Sequence, residues 1–368
     1  MSKFIKLYSK SSVEQDWTCP RKYHWNYCYG GKGITKEATH LSLFLGTSLH
    51  DGLAAIAHGV DIDEIGETAR EQVKEPLLKA SEDGDPQQAI DFANEQAALV
   101  EGLLRGFHRY VWPRLMDQYP TIIAIEQPCL YKYDGLAFMA RPDLLLADRQ
   151  NQVVYIEYKS SSSKKVEWVN SWNTSIQLHS GVKAVEQTLG TAPQSVIVIG
   201  LYKGFISYSK QNSPMCYCYK KSGNPPFTTD QIQYEFKAGF KRYPTWELDG
   251  GVKKWVEDMP EQILGNQFMQ TPPIFVNEDL VMDFFAQQAS RQAAIAGAVS
   301  KMTLVGEDGQ KILLDEAFPQ RFSECSPAWG SPCSYRQLCF GDARNPLESG
   351  YEWRNDEHQQ PFKDLLKE

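Results

Sequence analysis

The chain contains 368 residues, of which 42% are hydrophobic, 23% are charged and 12% are aromatic. This composition is ordinary for a folded globular protein and excludes general disorder. The formal net charge of −8 at pH 7 argues against a protein that holds nucleic acid through its bulk charge. A metal-dependent nucleic-acid enzyme remains compatible, because a metal site collects carboxylates and the bound ions supply positive charge.

The sequence also predicts the compartment. No run approaches the ~20 consecutive apolar residues of a membrane-spanning helix, and residues 1–6 lack the apolar core of a secretory signal. Eight cysteines in a chain of this length are too few for a disulfide scaffold. We therefore expect a cytoplasmic protein, encoded by a cell or by a virus, without a membrane partner.

The predicted elements change in character along the chain. Helical spacing of apolar residues comes first, then short segments rich in Ile, Val, Leu and Tyr that turn residues separate, and then helical spacing again. Helices are predicted within residues 11–30, 41–58, 64–118, 172–189, 252–269 and 278–301. Strands are predicted at residues 121–133, 136–147, 152–158 and 195–202.

This order predicts a mixed α/β fold: a central mixed β-sheet flanked by helices, with a core in the order αβββαβ and helical extensions at both ends. Residues 195–202 are almost continuously apolar, as expected of a strand buried on both faces. We expect one domain over residues 1–368. Its expected segments are an N-terminal segment, a helical region, the core sheet, an insertion with C-terminal helices, and a cysteine-rich loop: residues 1–30, 31–118, 119–204, 205–320 and 321–345.

Two acidic residues and a lysine lie on the predicted strands. Asp143 is on one strand of a predicted hairpin, and Glu157 and Lys159 share a face of the next strand because they are two residues apart. The two carboxylates are hard oxygen ligands that suit Mg²⁺ or Mn²⁺, and the backbone carbonyl of Tyr158 offers another. A divalent ion there would polarise a phosphodiester and activate water, while Lys159 would neutralise charge in the transition state. The alternative is an exposed hairpin with ordinary surface charges.

Two further residues extend this candidate site. His50 lies on the predicted helix before the sheet and would add a nitrogen ligand, which makes Mn²⁺ acceptable. Gln177 lies near the start of the helix that follows Glu157, where its amide would hold a phosphate or a metal-bound water. The alternatives are a structural histidine and a solvated glutamine.

Four of the cysteines form a second candidate site. Cys325, Cys333 and Cys339 crowd near the end of the chain, and Cys19 lies near its start. Four thiolates suit a 4Fe–4S cluster and equally a tetrahedral Zn²⁺ ion. Cys28 is an alternative to Cys19, and free buried thiols are the alternative to any metal. Packing roles are assigned to the remaining cysteines, Cys129, Cys216 and Cys218.

The order Gly46-x-x-x-His50, Pro142-Asp143, Glu157-x-Lys159 and Gln177 resembles the RecB-like exonuclease branch of the PD-(D/E)XK nuclease superfamily. That branch includes the CRISPR-associated RecB-like exonucleases and the nuclease domains of helicase–nucleases. The segment from Ser11 to Tyr27 is similar to the opening segment of the branch. In all, the resemblance covers residues 11–30, 46–50, 120–202 and 325–339.

The resemblance implies a metal-dependent DNA exonuclease with a 4Fe–4S cluster. It implies catalytic roles for Asp143, Glu157, Lys159 and Gln177, metal binding by His50, Asp143, Glu157 and Tyr158, and a cluster held by Cys19, Cys325, Cys333 and Cys339. Two departures stand out. Gly181 replaces a tyrosine that the branch often carries four residues after the glutamine, and seven residues separate Cys325 from Cys333, more than usual.

The expected substrate is DNA, as single strands or strand ends, in repair, recombination or viral DNA processing. One alternative is a catalytically silent DNA-binding or assembly module that keeps the nuclease fold. Another is the nuclease subunit of a helicase complex. The sequence has no Gly-x-x-x-x-Gly-Lys-Ser/Thr phosphate-binding loop, so a helicase or recombination protein would be a separate chain.

Overall fold

A computed structural model describes residues 6–36, 41–79, 85–161, 166–203, 215–220, 232–233, 239–302, 313–325, 332–341, 345–355 and 359–366. Helices span α1 (Lys10–Thr18), α2 (Pro20–Tyr23), α3 (Leu41–Ala57), α4 (Ile62–Lys79), α5 (Pro86–Gly106), α6 (Trp112–Gln118), α7 (Val166–Asn170), α8 (Ile176–Leu189), α9 (Gly251–Asp258), α10 (Glu261–Gly265), α11 (Glu278–Met302), α12 (Phe322–Cys325), α13 (Arg336–Cys339) and α14 (Gln360–Leu365). Strands span β1 (Lys6–Tyr8), β2 (Ile34–Thr35), β3 (Thr121–Ile125), β4 (Cys129–Tyr133), β5 (Leu136–Ala140), β6 (Leu144–Ala147), β7 (Val153–Ser161), β8 (Ser195–Tyr202), β9 (Tyr217–Lys220), β10 (Ile232–Gln233), β11 (Lys241–Pro244), β12 (Phe268–Gln270) and β13 (Glu352–Trp353).

The central sheet has five strands in the order β12-β8-β7-β6-β3. β7 and β8 are parallel, and the other neighbours are antiparallel. Every residue of β8 is buried, as the apolar run predicted. Helices α3, α4 and α5 cover one face of this sheet, and α8 covers the other. The predicted mixed α/β fold is therefore confirmed.

The predicted strands 121–133 and 136–147 are wrong in their extent, because each divides into two. β3 and β6 belong to the central sheet, whereas β4 and β5 form a hairpin in a second sheet of order β1-β5-β4. The divisions contain Pro128 and Pro142, which have no N–H to donate to a strand ladder. The chain crosses between the two sheets at both points, and Glu126 N–H donates to the Asp143 carbonyl at 3.1 Å.

The turn residues act as the sequence predicted. Asp134 and Gly135 both have positive φ, 47° and 77°, as a tight hairpin turn requires. In the β6–β7 hairpin, Asp148 Oδ1 accepts the N–H groups of Gln150 and Gln152, each at 2.8 Å. This hairpin pairs Leu144 with Ile156 and so fixes the register that the site needs.

Other regions depart from prediction. The predicted helix 252–269 comprises α9 and α10 and then becomes β12, which pairs with β8. The free edge of β8 overrides the weaker helical preference there. Residues 205–250 had no predicted element, and the parts that the structure describes include a small antiparallel sheet, β10-β9-β11.

Across the described ranges, no helix is both long enough and apolar enough to span a membrane.

Candidate metal centre and adjoining cleft

Asp143 lies immediately before β6, at the crossing between the two sheets. Its Oδ1 is 2.8 Å from Nδ1 of His50, which α3 brings to the sheet, and its Oδ2 accepts the Tyr158 backbone N–H at 2.6 Å. Burial lowers the pKa of His50, whereas the hydrogen bond and charge of Asp143 raise it, and the net shift is upward. Tyr158 thus contacts Asp143 through its N–H, whereas the sequence pointed to its carbonyl.

Glu126 joins this pair, although the sequence analysis did not single it out. Ligand atoms of His50, Glu126 and Asp143 all lie within 4.8 Å of one another. Glu126 has a φ of 46°, and a non-glycine residue in this left-handed region costs on the order of 1–3 kcal/mol unless its surroundings hold it. The sequence does show an acidic residue at the end of a predicted strand, two positions before Pro128. That position points to a metal ligand only once it is known that the chain crosses between the two sheets there.

Glu157 is the centre of a buried hydrogen-bond network on the α8 side of the sheet. Its Oε1 accepts from Lys159 and, at 2.6 Å, from the Gln177 amide. Its Oε2 accepts from the Tyr155 hydroxyl at 2.6 Å. Gln177 is itself anchored by Lys10, whose amine donates to the Gln177 amide oxygen at 2.8 Å. The structure therefore brings two of the predicted residues, Lys159 and Gln177, into direct contact with a third, Glu157.

The electrostatics of these carboxylates suit a bound cation. Burial raises the pKa of Glu157, and the nearby Asp143 charge raises it further. Burial and Asp143 raise the pKa of Glu126 in the same way. Clustered, partly buried like charges are unfavourable unless something of opposite charge accompanies them. Oxygen ligands with one imidazole fit Mg²⁺ or Mn²⁺, so the residues present fit a divalent ion.

A cleft of about 640 Å³ adjoins this centre. We call it the α1 cleft, because residues of α1 line it together with residues from the segment 171–180. It shares Tyr155 and Gln177 with the Glu157 network. Residues that line it include Lys10, Trp17, Arg141, Tyr155, Trp172 and Gln177. Trp17 is 50% exposed, and its indole N–H donates to the side-chain oxygen of Gln288 at 2.9 Å.

The four predicted cluster cysteines influence one another electrostatically. Burial raises the pKa of the Cys325 thiol, and Cys333 and Cys19 raise it further. Burial, with contributions from Cys333 and Cys325, raises the pKa of Cys339 to about 11. Among the described residues, no three cysteine sulfurs lie within 4.8 Å of one another. Cys28 packs instead beside Tyr23, with the cluster around Phe318, while Cys129, Cys216 and Cys218 are buried as predicted.

Comparison with known proteins identifies the family. The model of the PD-(D/E)XK nuclease superfamily matches residues 8–340. No sequence among the curated proteins matches this chain. Among solved structures, a crystal structure from Eubacterium rectale described as a "Putative exonuclease" is similar, with 10% identity, a TM-score of 0.38, and coverage of 90% of this chain and 92% of that chain; a likeness this weak does not bear on activity. The superfamily match spans most of the chain, and this protein therefore belongs to the PD-(D/E)XK nucleases, hydrolases that use divalent metal ions.

Proposed function

We propose that this protein is a deoxyribonuclease of the RecB-like branch that degrades single-stranded DNA from its ends. Its setting would be DNA repair, recombination or viral DNA processing, alone or with a separate helicase or recombination protein. The observation that carries this proposal is the position of the carboxylate network beside the α1 cleft. The cleft supplies a place for an unpaired strand, and the network supplies the cleavage chemistry.

The proposed roles follow from the contacts. His50, Glu126 and Asp143, whose ligand atoms lie within 4.8 Å of one another, would hold Mg²⁺ or Mn²⁺. Glu157 lies outside that group and would join the ion as a further side-chain ligand, with the Tyr158 carbonyl as another oxygen ligand. When bound, the ion supplies charge neutralisation at the phosphate and activation of water.

Lys159 is one-quarter exposed in its side chain and pairs with Glu157, so its amine can reach a phosphate and stabilise the negative charge that develops there. Gln177 holds the Glu157 carboxylate from the first turn of α8, and Lys10 in turn holds Gln177.

The α1 cleft favours a single strand over a duplex. Its volume falls in the ~300–1,000 Å³ range of small-ligand pockets, which suits unpaired nucleotides and not the width of a double helix. Proteins that bind single strands combine cations along the backbone with aromatic rings that stack on bases. Lys10 and Arg141 provide the cations, and Trp17 and Trp172 provide the rings.

A cleavage assay tests this function. Linear and circular single-stranded DNA and blunt duplex DNA, labelled at either end, would be incubated with Mg²⁺, with Mn²⁺ or with EDTA. We expect metal-dependent shortening of linear single strands from one end, much slower attack on the duplex, and no attack on circles. Equal cleavage of circles would contradict the exonuclease proposal. Binding without cleavage of any DNA would favour the catalytically silent module.

Trp17→Ala is expected to weaken single-strand binding. One lost stacking interaction costs about 1–3 kcal/mol, or roughly a 5- to 150-fold increase in Kd. Anisotropy of a labelled oligonucleotide in EDTA measures this without cleavage. The control is Phe275→Ala, which removes an aromatic ring that is 70% exposed but lies outside the α1 cleft. If the Trp17 variant and the parent bind the oligonucleotide with equal affinity, Trp17 is not part of the binding site.

We further propose that Cys19, Cys325, Cys333 and Cys339 hold a 4Fe–4S cluster within one nuclease domain. Contacts between the terminal segments support this: Arg21 Nε donates to the Phe318 carbonyl at 2.8 Å, and the Tyr335 hydroxyl donates to the Ile34 carbonyl at 2.7 Å. A single zinc ion with ~2.3 Å bonds would hold its four sulfurs about 3.8 Å apart. No three of the described cysteine sulfurs lie within 4.8 Å of one another, so the choice of an iron–sulfur cluster over zinc rests on the resemblance.

A further inference from the structure

We propose that Tyr155 is a positioning residue that fixes the Glu157 carboxylate for metal binding, and that Gly181 provides the space its ring requires. This inference rests on the proposed metal-dependent nuclease function. It assigns a role to a tyrosine buried in the central sheet and to a glycine on the facing helix.

The hydrogen bonds of Glu157 show why Tyr155 matters. Lys159 and Gln177 both donate to Oε1. Among the described residues, Tyr155 is the side chain that donates to Oε2, at 2.6 Å. The terminal torsion of a glutamate has broad minima, so donors on one oxygen alone leave the carboxylate plane poorly defined. A donor on the second oxygen fixes that plane.

Tyr155 is well suited to this task because its ring cannot move freely. The residue is 1% exposed and lies on β7 between Leu145 of β6 and Val196 of β8. Its hydroxyl therefore approaches Glu157 along a fixed direction. Glu157 lies two residues further along the same strand, so both side chains emerge on the α8 face.

Gly181 makes this arrangement possible. A Cβ atom at this position on α8 would lie 2.9 Å from Cε1 and 3.4 Å from the hydroxyl oxygen of Tyr155. A contact of 2.9 Å is too short, so either the Tyr155 ring must move or helix α8 must withdraw from it. Movement of the ring lengthens the bond from Tyr155 to Glu157, whereas withdrawal of the helix would move Gln177, which also lies on α8, away from Glu157.

Groups that orient metal ligands in this way have measurable effects. Loss of such a partner typically reduces metal affinity or activity by about 10- to 100-fold. A tyrosine that only filled space would have no such effect when its hydroxyl alone is removed. Tyr155→Phe separates these cases, because it keeps the ring and deletes the hydrogen bond.

The expected result for Tyr155→Phe is a roughly 10- to 100-fold weaker Mn²⁺ affinity by isothermal titration calorimetry. At saturating metal we expect a lower kcat with an unchanged KM for single-stranded DNA. The matched control is Tyr217→Phe, since the Tyr217 hydroxyl also donates to a carboxylate, Glu95 Oε2, at 2.6 Å but away from the site. This control is expected to lose some thermal stability and to bind Mn²⁺ like the parent.

A second variant tests the role of Gly181. Gly181→Ala is expected to weaken Mn²⁺ binding, as Tyr155→Phe does. The control is Gly297→Ala, at a helical glycine with open space around it, which is expected to leave Mn²⁺ binding unchanged. In the Tyr155→Phe background, Gly181→Ala should add little, because the bond it disturbs is already absent. Fully additive effects would overturn the assignment of Gly181.

The outcomes separate this inference from the function on which it rests. If the parent neither binds Mn²⁺ nor cleaves DNA, the proposed function fails. If the parent does both and Tyr155→Phe matches it in Mn²⁺ affinity and kcat, the positioning role alone is wrong. Selective loss of metal affinity in Tyr155→Phe, with Tyr217→Phe unaffected, supports the proposal.

Discussion

Asp143→Asn and Glu157→Gln are each expected to reduce DNA cleavage by on the order of 10³-fold or more. Each substitution replaces a negatively charged carboxylate ligand with a neutral amide, which holds a divalent ion more weakly. A bound divalent ion contributes several kcal/mol of transition-state stabilisation, where about 1.4 kcal/mol corresponds to a tenfold change in rate. Glu126→Gln is also expected to reduce cleavage, because the ligand atoms of Glu126, His50 and Asp143 lie within 4.8 Å of one another. Single-turnover cleavage of a labelled linear strand measures all three variants.

A readout other than activity tests metal binding in the same variants. An ion that binds only the native state raises the melting temperature, so Mn²⁺ is expected to stabilise the parent and to stabilise these variants much less. The control is Glu261→Gln, an exposed carboxylate that pairs with Arg114 far from the site along the chain. Parental cleavage by either the Asp143 or the Glu157 variant would show that this residue is not part of the catalytic centre.

Protein purified without oxygen is expected to be brown and to contain about four iron atoms per chain. Cys19→Ser and Cys333→Ser are each expected to lose the colour and most of the iron, and to unfold at a lower temperature. The reason is that the cluster joins two segments more than 300 residues apart, and crosslinks that close long loops stabilise proteins by on the order of 4 kcal/mol. Absorption spectroscopy, iron analysis and thermal melting measure these effects.

The control for the cysteine prediction is Cys28→Ser, because Cys28 is the alternative N-terminal ligand. It is expected to keep its iron, since Cys28 packs with the apolar cluster of Tyr23 and Phe318, whereas the Cys19 thiol is among the groups that raise the pKa of Cys325. If Cys28→Ser loses the colour and Cys19→Ser keeps it, the N-terminal cluster ligand is Cys28 and not Cys19. A colourless parent that holds one zinc ion would show that the cysteines form a tetrahedral zinc site.

Local sequence patterns predicted the parts of the site that lie close together in the chain. The turn residues between β6 and β7 set a short hairpin, so Asp143, immediately before β6, had to come close to Glu157 on β7. The same alternation placed Glu157 and Lys159 on one face. The positions of His50 and Gln177 on predicted helices made them further candidates, and the structure brings His50 to Asp143 and Gln177 to Glu157.

Contacts between distant segments could not be predicted in this way. Glu126 becomes a candidate ligand only because the chain leaves one sheet and enters another at two prolines. Gly181 stands where the branch often carries a tyrosine, yet Gln177 still contacts Glu157. The position of Tyr155 against Gly181 explains how this site accommodates a glycine there.

The sequence by itself determined the mixed α/β class, the β6–β7 hairpin and the fully buried β8, because these depend on turn chemistry and on hydrophobic patterns over a few residues. Only the tertiary structure decided where strands 121–133 and 136–147 divide, which acidic residues surround His50, and how α1 and residues 171–180 enclose a cleft. These features arise from packing between segments that are distant in the chain: 93 residues separate His50 from Asp143, and more than 150 separate α1 from residues 171–180. Short-range patterns carry no information about which distant surfaces will meet, since that choice is made by the fit of the whole core.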